Sequence, residues 1–348
     1  MLKSIKIVFT LSMFLVSIPS FAWQFGSGTA SDPYQIWNKD DLQALADSVN
    51  NSVLLNGFRH NHLILMADIT DTLKTRIGHN NNFARNRFNN HFNGNGYKIT
   101  LSAIGGARLG LFGFVGEDAV IENLTVDGIV SGEHDIGGIA GVNLGGTIQN
   151  CTNYASVSYS TSTGAWIGGI CGDNGGHVLN CVNNGSVTGF FYVGGIVGVN
   201  GSGVHSSVSI VNCINTATIK GQYEIAGIVG SSARSIIKDC INIGTVEGNS
   251  RVGGIAARLV VSADYSPLTT DNINYGFIYG SNEIGGIVGV VVGNYNTTIS
   301  NNFNAGVVSG NSKVGCIVGA NETPNATLIN NHYDKQMCGE PEPSELGE

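Results

Sequence analysis

A glycine-rich segment with an aliphatic centre recurs through most of this chain, and the recurrence limits the fold more than any other feature. The copy at 192–198 reads YVGGIVG. The central aliphatic residues of the eight copies are Leu111, Ile139, Ile170, Ile196, Ile228, Ile255, Ile287 and Ile317. Neighbouring copies lie 26 to 32 residues apart. A period of this length is typical of repeat proteins, in which each repeat is one structural unit.

Each repeat contains two further strand-like pieces, such as VLNCVN at 178–183 and GSV at 185–187. Three short strands and three turns in about 30 residues predict one coil of a β-solenoid. A single coil cannot bury its apolar side chains alone, so the coils must stack on one another. We therefore predict an all-β fold, a parallel β-helix (β-solenoid) of about eight coils with three short strands each.

The chain divides into four predicted parts. Residues 1–22 resemble a secretory signal peptide, with lysines, an apolar core and small residues before the cleavage position. Residues 23–104 form an N-terminal leader that contains one short capping helix, with Asp40 and Asp41 in its first turn and an apolar face from Leu42 to Val49. Residues 105–334 hold the repeats, and residues 335–348 are predicted to be a flexible tail.

Composition excludes several classes of protein. The net charge of −8 and the scattered basic residues argue against nucleic acid as a partner. No apolar run after residue 22 is long enough to span a membrane. The seven cysteines are an odd number, so they cannot all pair within the chain. No motif predicts a cofactor, because the glycine pairs lack the lysine of a nucleotide-binding loop.

Two columns of polar residues are predicted to stack from coil to coil. Cys151, Cys181, Cys213 and Cys240 share one column, and we interpret them as buried thiols. Disulfides are one alternative, but the parallel side chains of a stacked column point in poor directions for them. Zinc is the other, but it needs ligands in a tetrahedral arrangement. A second column is predicted to form an amide ladder at a turn, and it contains Asn153, Asn183, Asn215, Asn242, Asn274 and Asn304.

The residue before each glycine pair gives a third column, and it carries the candidate site. Its members are Asp135, Trp166, Tyr192, Glu224, Arg251, Glu283 and Lys313. One interpretation is a solvated ladder of alternating charges. The other is that Trp166 and Tyr192, with Phe190 and Phe191, form an aromatic platform for a sugar or a protein.

No catalytic or metal-binding residues are predicted. His60 and His62 lie two residues apart but have no third ligand in register, so exposed loop histidines are the simpler interpretation. An enzyme on this fold would need clustered carboxylates. Two such pairs are conceivable: Asp135 with Glu133 or Asp173, and Asp239 with Asp271.

The repeated GGIVG piece at 194–198 resembles the GLUG motif of exported bacterial surface proteins. The segments DPYQI at 32–36 and FNGNGYKI at 92–99 are similar to the leader that precedes such repeats. The resemblance implies a β-helical stalk on a secreted or surface protein, including adhesins, and implies no catalytic residues. Cys316 and Ala226 depart from the glycine pattern, but both are small.

Our first hypothesis is an exported, non-catalytic stalk or adhesion module that binds a host or matrix glycan or protein through its lateral face. The alternative is a polysaccharide lyase or glycoside hydrolase on the same scaffold. Location in a secreted or surface protein follows from the predicted signal peptide. The unpaired edge of the last coil is open to end-to-end association, and association through the surface is the alternative.

Overall fold

The computed structural model describes residues 25–51, 58–70, 75–79, 86–159, 165–201, 208–262, 267–323 and 326–338. They form a parallel β-solenoid with two short helices, so the predicted fold class is confirmed. The predicted signal peptide lies outside the described residues. None of the helices in the described part of the chain has the length and apolar character needed to cross a bilayer.

The coils stack into four parallel sheets, which we call sheets I to IV. Sheet I has eleven strands: Tyr34–Ile36, Arg59–Leu65, Asn89–Asn93, Val120–Glu122, Thr147–Gln149, His177–Leu179, Val208–Val211, Ser235–Lys238, Leu268–Thr270, Thr297–Ser300 and Ala326–Ile329. Sheet IV has eight: Phe112–Val115, Ala140–Asn143, Cys171–Asn174, Val197–Asn200, Val229–Ala233, Ala256–Val261, Val288–Gly293 and Val318–Asn321.

Sheet III has seven strands: Ile136–Gly137, Ile167–Gly168, Phe191–Gly194, Tyr223–Ala226, Ser250–Gly253, Asn282–Gly285 and Ser312–Gly315. Sheet II has fifteen, in two rows that begin from the long strands Lys98–Ile104 and Thr125–Gly132. One row is Thr152–Asn153, Val182–Asn183, Ile214–Asn215, Ile241–Asn242, Ile273–Asn274, Phe303–Asn304 and His332–Tyr333. The other is Ser156–Tyr159, Val187–Thr188, Ile219–Lys220, Val246–Glu247, Ile278–Tyr279 and Val308–Ser309.

A full coil therefore contains five short strands, because two of the three predicted pieces bend in the middle. The VLNCVN piece turns from sheet I into sheet II at Asn180, which has a φ of 54°. Asn tolerates this left-handed conformation better than most residues. The glycine-pair piece turns from sheet III into sheet IV. The same bends recur in register in the following coils.

The second glycine of each pair makes room for the predicted amide ladder. A Cβ added to Gly195 would lie 2.1 Å from the carbonyl oxygen of Gly227 in the next coil and 2.5 Å from Cγ of Asn215. The Asn215 amide itself accepts from Asn183 at 2.8 Å and donates to Asn242 at 2.9 Å. The ladder is fully buried from Asn153 to Asn304, and its prediction is confirmed.

The cysteine column lies in the core, as predicted, and all seven cysteines are buried and form no disulfide within the described residues. Cys240 donates its thiol to the carbonyl oxygen of Ile210 in the coil below at 3.6 Å. In the next coil Asn272 takes the same position and donates to the Ile237 oxygen at 3.1 Å. The column thus keeps one function, which is to satisfy buried carbonyl groups, while the side chain changes.

At the N-terminal end, helix α1 (Lys39–Asn50) packs against the first rung of sheet I. Asn38 caps it by accepting from the backbone nitrogens of Asp40 and Asp41 at 2.9 and 3.1 Å. Leader strands belong to the same sheets as the repeats. The composition of the Asn- and Arg-rich segment at 79–91 predicts a long loop, but 89–93 is a strand. It pairs in sheet I, where the Asn90 side chain also accepts from the Asn61 nitrogen and donates to the Phe58 oxygen.

At the C-terminal end, the first four residues of the predicted flexible tail at 335–348 form one helical turn. Helix α2 (Lys335–Cys338) lies against the last coil, and Cys338 is buried. Its sulfur accepts a hydrogen bond from the side-chain nitrogen of Asn304 at 3.3 Å, which anchors the turn. Residues 339–348 lie outside the described part of the chain. Cys316 takes the place of a second glycine in the last described coil, where its side chain is buried.

Candidate functional site

The site lies on the outer surface of sheets III and IV, which we call the corner face. Two parallel columns of side chains form it. The sheet III column is Arg108, Asp135, Trp166, Tyr192, Glu224, Arg251, Glu283 and Lys313, and the sheet IV column is Phe114, Val142, Asp173, Val199, Ser231, Arg258, Val290 and Ala320. The glycine-pair bend brings the two columns side by side.

Backbone strain is concentrated in the sheet III column. Every member except Trp166 has a φ between 50° and 60°. At the bend between sheets I and II the same conformation is filled by Asn or Asp, which suit it. Tyr, Glu, Arg and Lys do not, and each left-handed residue of this kind costs about 1–2 kcal/mol. Side-chain interactions, not backbone preference, therefore account for the residues in this column.

The C-terminal half of the column is an ion-pair network. Arg251 bonds Glu224 at 2.9 Å and Glu283 at 3.1 Å, and Lys313 bonds Glu283 at 2.8 Å. The alternation of charge agrees with the predicted ladder, but the predicted solvation is wrong for its acidic members. Glu224 and Glu283 are only 4% and 5% exposed, and Arg258 of the sheet IV column approaches Glu224 at 3.7 Å.

The pKa values of the two buried glutamates shift in opposite directions. Burial raises the pKa of Glu224 in spite of Arg258 and Arg251, and its Oε2 is buried without a hydrogen-bond partner among the described residues. For Glu283, burial also acts to raise the pKa, but hydrogen bonds from Lys313 and Arg251 outweigh it and hold the pKa below the ordinary value.

The predicted aromatic platform divides into two parts. Phe190 and Phe191 contact each other at 4.8 Å, and Tyr192 lies 6.2 Å from Phe191 between ring centroids. Tyr223 from the next coil stacks on Phe191 at 5.0 Å and an angle of 20°. We call these four residues the aromatic cluster. Within the described residues, the Trp166 ring makes no contact with the rings of this cluster.

Trp166 instead borders a depression of about 450 Å³ in the N-terminal half of the corner face. Its other lining residues are Arg108, Phe114, His134, Asp135, Val142, Leu144 and Asp173. We call it the Trp166 depression. It combines a concave shape, an indole ring and polar groups that converge from three coils, as small-ligand sites do.

Charged groups in the Trp166 depression are held in defined positions. Oδ2 of Asp135 lies 3.0 Å from Nδ1 of His134 and 3.5 Å from Nε of Arg108. The Arg108 guanidinium also lies 5.3 Å above the Phe114 ring, within the range of a cation–π contact. The depression therefore presents a carboxylate with fixed orientation beside an aromatic ring.

Of the two carboxylate pairs considered from sequence, Asp135 and Asp173 line the same depression, and Glu133 does not line it. The other pair faces a cation, because Lys238 lies 3.7 Å from Asp239 and 3.9 Å from Asp271. The sequence showed neither Arg108 nor His134 as site residues. Only their positions could have indicated them: Arg108 precedes the weak first copy of the motif, and His134 precedes Asp135.

The histidines at 60 and 62 lie on a sheet I strand and not in a loop. The His62 ring contacts that of His91 at 4.8 Å, and His91 bonds Glu122 at 2.7 Å. Within the described ranges, no group of three or more His, Cys, Asp or Glu residues is arranged to hold a metal ion.

Comparison with known proteins gives partial matches. No protein-family model matches the chain. Halomucin from Haloquadratum walsbyi is 30% identical over 160 residues, 42% of this chain, and a "Putative Gly-rich membrane protein" from Evansella cellulosilytica is 37% identical over 112 residues, 30% of this chain. The matches cover 2% and 12% of these relatives, so the chain spans a small part of their length.

Among solved structures, the chain is similar to a "putative immunoglobulin A1 protease" from Bacteroides ovatus. The TM-score is 0.49 and the identity 17%, over 90% of this chain and 87% of the other. A likeness at this level carries no inference about activity.

Proposed function

We propose that this chain is a non-catalytic β-solenoid of a secreted or cell-surface protein, related to GLUG-repeat adhesins, and that it binds a glycan at the Trp166 depression. The observation that carries the proposal is the meeting of Trp166, Asp135 and Asp173 in one concave site. An indole face suits the apolar face of a sugar ring, and carboxylates accept hydrogen bonds from its hydroxyl groups.

The surrounding structure supports this proposal in two ways. The aromatic cluster begins in the next coil, since Ile167, which follows Trp166, pairs with Val193, which follows Tyr192. A bound glycan chain could thus extend from the depression along the face. In addition, one partial relative is named a membrane protein, which agrees with a surface location.

The proposal is tested with a glycan array and matched variants. We expect Trp166→Ala and Asp173→Asn to lower the affinity for the recognised glycan at least tenfold. Tyr192→Asn should weaken binding less, because it removes a neighbouring ring while keeping a residue that suits a positive φ. Tyr279→Ala is the matched control, because that aromatic is 42% exposed on sheet II, a different face.

Two outcomes would contradict the proposal. One is the absence of glycan binding by the wild-type chain, and the other is unchanged binding by the folded Trp166→Ala variant. If Trp166→Ala instead abolished binding to a deglycosylated matrix protein, the depression would be a protein-binding site.

The Asp135–Asp173 pair also favours a second candidate, a polysaccharide-active enzyme. Incubation with polysaccharides, followed by assays for new reducing ends and for unsaturated sugar products, tests it. We expect no turnover. Activity that disappears in Asp173→Asn would establish the enzyme and refute the non-catalytic assignment.

A further inference from the structure

A second cavity lies where the first repeat coil meets the leader, beneath the turn at Gly105 and Gly106. Its volume is about 460 Å³. Core side chains form an apolar wall, which includes Leu101, Leu109 and Leu111, while Thr75, Arg76 and Ser102 add polar groups. This size is within the range of pockets that hold small organic ligands.

The backbone of Arg76 in this cavity is fixed by a buried asparagine at the end of helix α1. Nδ2 of Asn50 donates to the Arg76 carbonyl oxygen at 2.9 Å, and Oδ1 of Asn50 accepts from the Gly78 nitrogen at 2.9 Å. The Arg76 side chain then crosses Gly113, where an added Cβ would lie 2.7 Å from its Cδ. Its guanidinium extends toward Gly106, whose added Cβ would lie 3.8 Å from Nη1.

No carboxylate neutralises Arg76 within the described ranges. No ion pair between described residues includes it, and its Nε is buried without a hydrogen-bond partner, as is Nδ1 of His79 in the same cavity. Burial, and then the like charge of Arg108, lower the pKa of Arg76. A half-buried guanidinium whose Nε lacks a partner is costly, and an anion entering the cavity would lower that cost.

We propose that this cavity binds a small carboxylate-bearing ligand of the uronic acid type. The carboxylate pairs with the guanidinium of Arg76, whose planar donors match a carboxylate in bidentate geometry. The sugar ring lies against the leucine wall. Its hydroxyl groups meet the hydroxyl group of Ser102 and that of Thr75, which accepts from Gln43 at 2.9 Å and keeps its own hydrogen to donate. This site is separate from the Trp166 depression and does not depend on the function proposed for it.

The experiment measures binding of glucuronate, glucose and inorganic sulfate to the full chain by calorimetry. Glucuronate should bind, glucose should not, and added salt should weaken binding. Sulfate binding as strong as that of glucuronate would reassign the cavity to inorganic oxyanions and overturn the uronic acid assignment. Arg76→Gln should lower the glucuronate affinity at least tenfold. Arg76→Lys, which keeps the positive charge but not the planar pair of donors, should lower it less.

Two control variants distinguish binding in this cavity from binding elsewhere on the chain. Lys220→Gln removes an exposed lysine that pairs with Glu247 on sheet II, and it should leave glucuronate binding unchanged. Trp166→Ala should also leave it unchanged, which distinguishes this site from the depression. Because Arg76 lacks a partner, Arg76→Gln should not lower the melting temperature of the free chain. Equal binding of glucose and glucuronate, unchanged binding by Arg76→Gln, or strong destabilisation by Arg76→Gln would each overturn the proposal.

Discussion

A Cβ added to Gly195 would lie 2.5 Å from Cγ of Asn215, so the second motif glycine and the ladder amide occupy adjoining space without room for a methyl group. The same relationship recurs between Gly169 and Asn183 and between Gly227 and Asn242. The two sequence patterns, glycine pair and asparagine, are therefore two halves of one packing unit.

Gly195→Val should be severely destabilising. Its side chain would meet a backbone carbonyl of the next coil as well as the Asn215 amide, and a packed backbone cannot move aside easily. Cys316→Val is the matched control, because the equivalent position in the last described coil already carries a buried side chain of similar size. We expect a large drop in melting temperature for the first variant and a small change for the second. Similar melting temperatures for Gly195→Val and the wild type would contradict this interpretation.

Asn215→Ala should destabilise the chain by about 2–4 kcal/mol, since it removes four buried hydrogen bonds and leaves partners on both sides unsatisfied. The midpoint of urea unfolding measures the effect. Ser186→Ala, which removes an exposed contact to Ser156, should change the free energy of unfolding by less than about 0.5 kcal/mol. Equal effects of the two variants would show that the ladder adds nothing to stability.

Cys240→Asn should be tolerated, because Asn272 fills the same column in the next coil and satisfies the equivalent carbonyl. Cys240→Leu should lower the melting temperature, since a fully buried position has no space for the added carbons. Differential scanning calorimetry distinguishes the two. If the asparagine variant were the less stable one, the column would require sulfur and not a hydrogen-bond donor.

The two buried glutamates predict opposite dependences of stability on pH. The lowered pKa of Glu283 contributes stability that is present above the ordinary glutamate pKa of about 4.3 and is lost as the pH falls through the lowered value. The raised pKa of Glu224 makes its ionisation in the folded chain unfavourable, so its contribution declines as the pH rises from about 4.3 through the raised value.

Melting temperatures between about pH 3 and pH 8 test this. Glu283→Gln should be less stable than wild type at neutral pH, and the difference should vanish in acid. Glu224→Gln should compare more favourably with wild type as the pH rises through the interval in which Glu224 ionises. Parallel pH curves for the wild type and both variants would refute the assignment.

The sequence predicted what is strictly periodic and missed what depends on neighbouring columns. The glycine pairs and the Asn215 column repeat once per coil, so their stacking follows from the period alone. The burial of Glu224 and the Trp166 depression depend on which sheet IV residue lies beside each sheet III residue. That relation is set by the glycine-pair bend, which the period does not show. A second buried ladder from Asn143 through Asn174 to Asn200 was missed because it recurs in only three coils before Ser232 takes its place.

The buried amide ladder from Asn153 to Asn304 also has a direction. Every amide in it presents its oxygen to the preceding coil and its nitrogen to the following one, so the side-chain dipoles add along the axis instead of cancelling. The positive end of this array emerges at Asn304, and the polarisable sulfur of Cys338 receives it. Any segment that takes the place of helix α2 on the last coil must therefore supply an electron-rich atom at that point.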